Sequence, residues 1–277
     1  MYPMKHLEQR QPMPVKKITF VVCIASFFIL LVPDSAGAQN RAGLNELLQE
    51  FFIGETVYAQ EKNEIQITSK PAYRNQRDRT KLKNIPIQIE YGFTDRFQVE
   101  LGLPYVFHNL KGEHTTGSLG KLELGFLYNI LRGNKPFALS VAVDVGLPTV
   151  RKGKEIKAAE ETEVEWEPAL IVAKQIGIVQ VHASLVAEIT KSESALTYNL
   201  GAVLPMGNWR ATLELNGKIK DDKIIYLTPG VIWTGLDDFE FGLGVSKSRE
   251  AWGVTLMATY EFSLKRGNKT AAVKTAR

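Results

Sequence analysis

Residues 137–147 read Phe-Ala-Leu-Ser-Val-Ala-Val-Asp-Val-Gly-Leu, in which large apolar side chains alternate with small or polar ones. Side chains of a β-strand point to opposite faces with a period of two, so this strand has one apolar face and one face of Ala, Ser, Asp and Gly. The run is long enough to cross a bilayer as a tilted strand, and the alternation recurs along the chain. The pattern predicts a transmembrane β-barrel, whose strands meet lipid outside and polar groups inside.

Twelve such segments are predicted between Glu64 and Leu264, and an even number is usual in bacterial single-chain barrels. They are residues 64–73, 85–93, 97–108, 121–131, 137–147, 164–174, 178–190, 195–204, 209–219, 224–233, 239–246 and 252–264. We therefore predict an all-β fold, an antiparallel up-and-down barrel over residues 63–264. The main objection is the presence of Pro104, Pro148, Pro168, Pro205 and Pro229 in or near strands, because proline donates no ladder hydrogen bond.

The connections support this topology, because barrels have short periplasmic turns and longer outer loops. In the first half, long connections at 74–84, 109–120 and 150–163 alternate with tight ones at 94–96, 132–135 and 175–177. Both chain termini then face the periplasm. We expect the loops at 109–120 and 150–163 to form the gate or entrance of the barrel.

The N-terminal residues 1–38 have the organisation of a secretory signal peptide. Lys16 and Lys17 precede an apolar run at 18–32, and small residues follow it up to Ala38, after which we expect cleavage. An uncleaved anchor and a second cleavage site after Ala59 are the alternatives. The single cysteine, Cys23, lies in the apolar run, so the mature chain has no disulfide and no thiolate metal site.

The lead-in at residues 39–62 contains a possible short amphipathic helix at 43–53. Leu44, Leu47, Leu48 and Phe51 recur there at helical spacing, with polar residues largely opposite. Four alternatives stay open for this segment: a plug in the lumen, a position on the membrane surface, part of a longer leader, or a disordered lead-in.

The period of two also assigns side chains to the two faces of the barrel. Ile85, Ile87, Ile89, Tyr91 and Phe93 are predicted to face lipid, and Trp and Tyr residues tend towards strand ends, as in interfacial aromatic girdles. The lumen-lining candidates are Glu90, Glu100, Glu123, Asp144, Glu165, Glu167, Glu188, Arg210, Glu214, Lys218, Glu240 and Glu261.

Acids outnumber bases in this set, which favours cations over anions in a pore. The alternative is that these carboxylates pair with Lys70, Lys121, Arg210 and Lys218, or meet solvent, and only hold the lumen open. In the predicted outer loops the balance is reversed, and cations there can contact lipopolysaccharide phosphates. These cations are Arg74, Arg77, Arg79, Lys81, Lys83, Arg151, Lys152, Lys154 and Lys157.

Catalysis and metal binding have weak support in the sequence. His182 and Ser184 share one strand face, which is the best arrangement for an outer-membrane lipid hydrolase, but they face inward and no Gly-x-Ser-x-Gly motif accompanies them. No metal-ligand spacing and no phosphate-binding glycine motif occurs, so we expect no cofactor. A formal charge of +4, scattered along the chain, argues against nucleic acid as a partner.

Three stretches resemble the outer-membrane transporters of the phenol-degradation meta-pathway (MetA-like) β-barrel family. They are residues 85–105, 117–128 and 142–149, which look like successive hairpins of that family. The resemblance implies a channel or transporter, with small apolar or aromatic compounds as possible solutes. Many such barrels end on an aromatic residue that the barrel assembly machinery recognises, whereas here a basic tail at 265–277 follows Tyr260 and Phe262.

The sequence therefore predicts an exported barrel of a Gram-negative outer membrane that passes small solutes. Its expected partners are outer-membrane lipids, lipopolysaccharide, the assembly machinery and the solute itself. The alternative is a structural or surface-interaction barrel with a plugged lumen.

Overall fold

A computed structural model describes residues 44, 46–77, 81–109, 116–132, 137–149, 163–219 and 225–264. The expected signal peptide at 1–38, the basic tail at 265–277, Arg79, and most of the two expected gate loops, at 110–115 and 150–162, lie outside these residues. No helix among the described residues is long and apolar enough to span a membrane.

Fourteen strand segments make up the barrel wall. They are β1 (Glu64–Ser69), β2 (Ala72–Gln76), β3 (Lys81–Thr94), β4 (Phe97–Asn109), β5 (Thr116–Leu119), β6 (Leu122–Leu131), β7 (Phe137–Leu147), β8 (Glu165–Ile176), β9 (Val179–Ile189), β10 (Ser194–Met206), β11 (Trp209–Lys218), β12 (Ile225–Leu236), β13 (Phe239–Lys247) and β14 (Ala251–Ser263).

These segments form twelve barrel strands, because two strands are interrupted. β1 and β2 both pair with β3 and β14 and form the first barrel strand, and β5 and β6 both pair with β4 and form the fourth. All pairings are antiparallel, and the pairing of the first strand with β14 closes the sheet. The closed twelve-stranded antiparallel barrel confirms the predicted fold class.

Tight turns define one end of the barrel, which we call the turn end. Gly177 and Gly207 occupy the first position of two-residue hairpin turns with φ of 60° and 63°, a conformation that glycine adopts without steric cost. The opposite end, which carries the connections at 77–81, 109–116 and 149–163, is the loop end.

The wall is apolar outside and polar inside. Outward residues of β3 such as Ile85, Ile87 and Phe93 are 43, 46 and 52 % exposed, whereas inward Glu90 is 3 % exposed. A water-soluble protein buries its large apolar side chains, so this distribution is the inverse of the usual one and matches a wall that meets lipid. Pro168 and Pro229 lie within β8 and β12 on this outer face, paired with Val143 and Leu213.

The connection expected at 74–84 is shorter than predicted. β2 continues to Gln76 and β3 begins at Lys81, so residues 74–76 and 81–84 of the expected connection belong to the two strands. Alternation with apolar residues is needed only where a strand crosses hydrocarbon, and a strand that continues into water loses this signature. β5 similarly occupies part of the expected loop at 109–120.

Residues 46–62, which we call the plug segment, lie inside the barrel. The segment has no regular secondary structure, so the possible helix at 43–53 is absent at residues 44 and 46–53. Its backbone N–H groups bond to wall side chains instead of to carbonyls of a preceding turn, as with Phe52 and the Glu214 carboxylate. At the junction with β1, Asn63 has a φ of 64°, in the left-handed region that Asn tolerates better than most residues.

Candidate functional site in the barrel lumen

The plug segment begins and ends at the turn end of the barrel. Near its start, the Leu47 carbonyl accepts a hydrogen bond of 2.9 Å from Arg210 Nε. Near its end, the Lys62 N–H donates to Asp95 in the tight turn between β3 and β4. Between them the chain reverses, and Thr56 Oγ1 donates to the Gln49 carbonyl at 3.2 Å. The segment is therefore a loop inserted from one mouth of the barrel.

Glu214 on β11 holds the innermost part of this loop. Its carboxylate accepts hydrogen bonds from three consecutive backbone N–H groups, those of Phe52 at 2.9 Å, Ile53 at 3.0 Å and Gly54 at 2.9 Å. Glu214 is 1 % exposed, so this anion depends on the plug segment for its hydrogen-bond donors. The backbone N–H groups of the docked segment thus match the Glu214 carboxylate of the wall.

Two phenylalanine rings fill sockets made by wall glycines. A Cβ added at Gly230, Gly242 or Gly244 would lie 2.2, 2.9 or 2.8 Å from atoms of the Phe52 ring. A Cβ at Gly201 would lie 2.7 Å from the Phe51 ring. Phe51 and Phe52 are 1 and 5 % exposed and pack with the wall residues Val203, Ile232 and Met257. The glycines thus give the rings room against the wall.

The opposite wall receives the second half of the plug segment. Val57 and Ala59 are 0 and 3 % exposed and pack on small and apolar residues of β6, β7 and β8. The Val57 carbonyl accepts from Asn129 Nδ2 and Ser140 Oγ, both at 2.6 Å, and the Ala59 N–H donates to Asn129 Oδ1 at 3.2 Å. The plug segment therefore contacts opposite sides of the wall and spans the lumen between them.

A small polar cavity of about 20 Å³ lies between the plug segment and the wall. Its lining includes two plug carboxylates and three wall carboxylates: Glu50, Glu55, Glu90, Glu100 and Asp144. Lys70, which enters the lumen at the interruption between β1 and β2, forms an ion pair of 2.8 Å with Glu50. Burial and the neighbouring Glu50 raise the pKa of Glu55, a plug residue, to about 7.

The loop-end half of the lumen, which we call the outer vestibule, is lined by Arg74, Glu165, Glu167, Glu188, Lys218 and Tyr226. Lys121, which enters the lumen at the interruption between β5 and β6, forms an ion pair of 2.7 Å with Glu165. Lys218 forms one of 2.6 Å with Glu188. Among the described residues, the hydrogen bonds of the plug backbone with wall side chains lie on the turn-end side of this vestibule, up to the level of Glu214.

Arg74 lies in the vestibule and not in an outer loop at the lipid surface, where the sequence had placed it. It is paired in register with Gly253 and Leu82, and its guanidinium lies 4.9 Å from the centroid of the Tyr226 ring. Asn216 is the register partner of Tyr226, is 6 % exposed, and has an Oδ1 atom with no hydrogen-bond partner.

The twelve predicted lumen residues all lie on the inner face, at two levels. Glu90, Glu100, Asp144, Arg210, Glu214, Glu240 and Glu261 surround the plug segment, and Glu123, Glu165, Glu167, Glu188 and Lys218 lie closer to the loop end. Gln49 contacts two of the first set, Glu240 through its backbone N–H and Glu261 through its side chain. The expected pairing partners are in part engaged, since Lys70, Lys121 and Lys218 form ion pairs. A role of these residues in solute passage stays a prediction.

The contacts of His182 and Ser184 differ from those of a catalytic pair. His182 is 2 % exposed and packs edge-on against Phe51, and its Nε2 lies 2.8 Å from Gln180 Oε1. The Ser184 hydroxyl accepts a hydrogen bond from Asn199. Neither side chain is a partner of the other in these hydrogen bonds. Within the described part of the chain, no group of three or more His, Cys, Asp or Glu is arranged to hold a metal ion.

Comparison with solved structures identifies the architecture. The COG4313 outer membrane channel from Pseudomonas putida F1 superposes with a TM-score of 0.58 at 11 % identity, over 74 % of this chain and 98 % of that one. The fold is that of outer-membrane β-barrels. The KdgM porin gives a TM-score of 0.53 at 11 % identity, over 71 % of this chain and 99 % of that one. No family model and no curated sequence matches the chain.

Proposed function

We propose that the chain is an outer-membrane channel for small solutes that the plug segment closes. The barrel fold, the apolar outer face and the polar inner face support insertion in the outer membrane, with the turn end in the periplasm. Export by the general secretory route, contacts of the outer basic residues with lipopolysaccharide and assembly by the barrel machinery belong to this proposal.

The observation that carries the proposal is the way the lumen is filled. The plug segment pairs with no strand and is continuous with the described wall only at Asn63, and side chains of the wall hold it at Glu214, Asn129 and Gln98. Such contacts can be broken while every pair of wall strands stays intact. A barrel closed in this way can open without unfolding.

The solute class follows from the lining of the outer vestibule. The resemblance to the phenol-degradation barrels favours small apolar or aromatic compounds. The carboxylates Glu165, Glu167 and Glu188, together with Arg74 and Lys218, favour polar and ionised ones. We therefore propose ionised solutes as the better candidates, with cations preferred over anions.

The test is single-channel recording of the refolded protein in planar bilayers under a salt gradient. We expect few openings for the mature chain and stepwise, cation-selective current for a variant that lacks residues 46–60. Heat-modifiable migration on a gel controls for folding of both proteins. A folded deletion variant without current would overturn the channel proposal.

A structural or surface-interaction barrel is the second candidate, and the three hydrogen bonds to Glu214 favour it, because they make docking of the plug segment strong. The two functions differ in whether the intact protein ever opens. A mature chain that stays silent at all voltages, beside a conducting deletion variant, favours a permanently plugged barrel.

A further inference from the structure

The charges of the outer vestibule are separated across the barrel. Arg74 belongs to the first barrel strand, and Glu165 and Glu167 on β8 and Glu188 on β9 belong to the sixth and seventh, half-way round the twelve-stranded wall. All four residues lie near the loop end of their strands. A field therefore crosses the lumen from a cationic side to an anionic side, and low-dielectric walls concentrate it.

Arg74, on the cationic side of the vestibule, is available to bind an anionic group of a ligand. Among the described residues Arg74 has no carboxylate partner, and its one recorded contact is with the Tyr226 ring. Stacking on an aromatic face orients the planar guanidinium, whose N–H groups match a carboxylate in a bidentate arrangement. Lys70, Lys121 and Lys218, in contrast, each have a carboxylate partner within 2.8 Å.

A second observation points to the same place. Asn216 neighbours Tyr226 across the β11–β12 pair, and its buried Oδ1 lacks a partner. An unsatisfied buried acceptor costs free energy and is found where a ligand or an ordered water completes the site. Because Asn216 lies beside the Tyr226 ring that supports Arg74, its Oδ1 atom offers a further polar contact to a ligand bound there.

The anionic side has an excess of charge. Lys121 and Lys218 pair with Glu165 and Glu188, whereas Glu167 has no basic partner among the described residues. A carboxylate without a cationic partner attracts the ammonium group of a solute.

We propose that the outer vestibule binds small zwitterions, with the solute carboxylate on Arg74 and its ammonium group on the Glu167 side. This inference rests on the proposed channel function and names its solute class. Zwitterions are preferred because they satisfy both sides of the lumen, whereas a cation or an anion leaves one side without a partner.

The test is titration calorimetry of the refolded mature chain with three matched probes, ε-aminocaproate, caproate and hexylamine. We expect the zwitterion to bind at least about tenfold more tightly than either singly charged analogue, which corresponds to one good charged contact. Arg74→Gln should reduce its affinity to that of hexylamine, and Glu167→Gln should reduce it towards that of caproate. Arg96→Gln, which alters an exposed arginine in a tight turn, should leave all three unchanged.

Equal affinities for the three probes, absence of binding, or an unchanged affinity in folded Arg74→Gln would overturn the inference. Because calorimetry measures binding without recording current, a negative binding result leaves the channel proposal standing. A plug-deleted barrel that conducts but shows no preference for the zwitterion would retain the function and remove the solute class.

Discussion

The two halves of the lumen are built from different residues. The turn-end half has glycine and alanine walls, such as Gly230, Gly244 and Ala169, that meet apolar side chains of the plug segment. The loop-end half has charged walls whose partners are one another, as in the Lys121–Glu165 and Lys218–Glu188 pairs. Small inward residues therefore indicate where a barrel holds apolar side chains of its own chain, whereas ion pairs between wall residues indicate a part of the lumen that the plug segment does not fill.

The largest expected effect comes from Glu214→Ala in the turn-end half. Three backbone N–H groups lose a charged acceptor, and we expect docking of the plug segment to weaken by about 3 kcal/mol or roughly a hundredfold. Ala59→Cys, at a position 3 % exposed when docked, reports release through its rate of maleimide labelling, because the expected mature chain has no other cysteine. Glu188→Ala in the vestibule is the matched control and should label at the parent rate.

A smaller effect is expected from Gly244→Ala. The added Cβ lies 2.8 Å from the Phe52 ring, and its three nearest neighbours all belong to that ring, so it crowds the plug segment and not the wall. Overpacking of this kind costs about 1–3 kcal/mol, and channel open probability should rise accordingly. In a Phe52→Ala background, Gly244→Ala should cause no further loss of docking free energy. If the two costs add instead, the socket is not the site of the clash.

Closure should also depend on pH through Glu55. Its pKa is about 7 in the docked segment because of burial and Glu50, against an ordinary value of 4.5, so the docked state retains a proton that the released state gives up. Docking is therefore strongest below pH 4.5, weakens as the pH rises to about 7, and changes little beyond. The charged groups around it are Glu50, Lys70, Glu100, Glu123, Asp144 and Glu167. Labelling of the Ala59→Cys reporter should rise over this interval, and Glu55→Gln should flatten the rise.

The smallest effect is expected from Lys218→Met in the loop-end half. Lys218 is 54 % exposed in its ion pair with Glu188, and such pairs contribute under about 1 kcal/mol. Thermal unfolding and the labelling rate should both stay close to those of the parent. A labelling rate as high as that of Glu214→Ala would mean that the two halves of the lumen are coupled.

The two faces of the wall were predictable because the alternation that assigns them depends only on residues adjacent in the sequence. Alternation placed residues such as Ile85 outside and Glu90 inside with no knowledge of the neighbours, and it gave the strand count. The prediction of Arg74 in an outer loop was wrong, because its strand runs past the apolar region and loses the alternation there.

The plug segment was not predictable in the same way. Leu47, Leu48 and Phe51 have helical spacing, but the partners that fix their conformation lie far away in the chain, at Glu214 and at Gly201. Period and propensity describe only near neighbours along the sequence. A signal was present in the inward glycines of β12 and β13, which leave space beside them that no wall side chain fills.

The two contacts of the plug segment at the turn end, Leu47 with Arg210 and Lys62 with Asp95, also constrain the order of assembly. A segment that crossed the whole lumen would have to be threaded before the sheet closed. This loop enters and leaves by one mouth, so the twelve strands can close first, in the membrane, and the segment can be added afterwards from the same compartment. Insertion and release are then the same movement in opposite directions, and no step of biogenesis requires the finished wall to reopen.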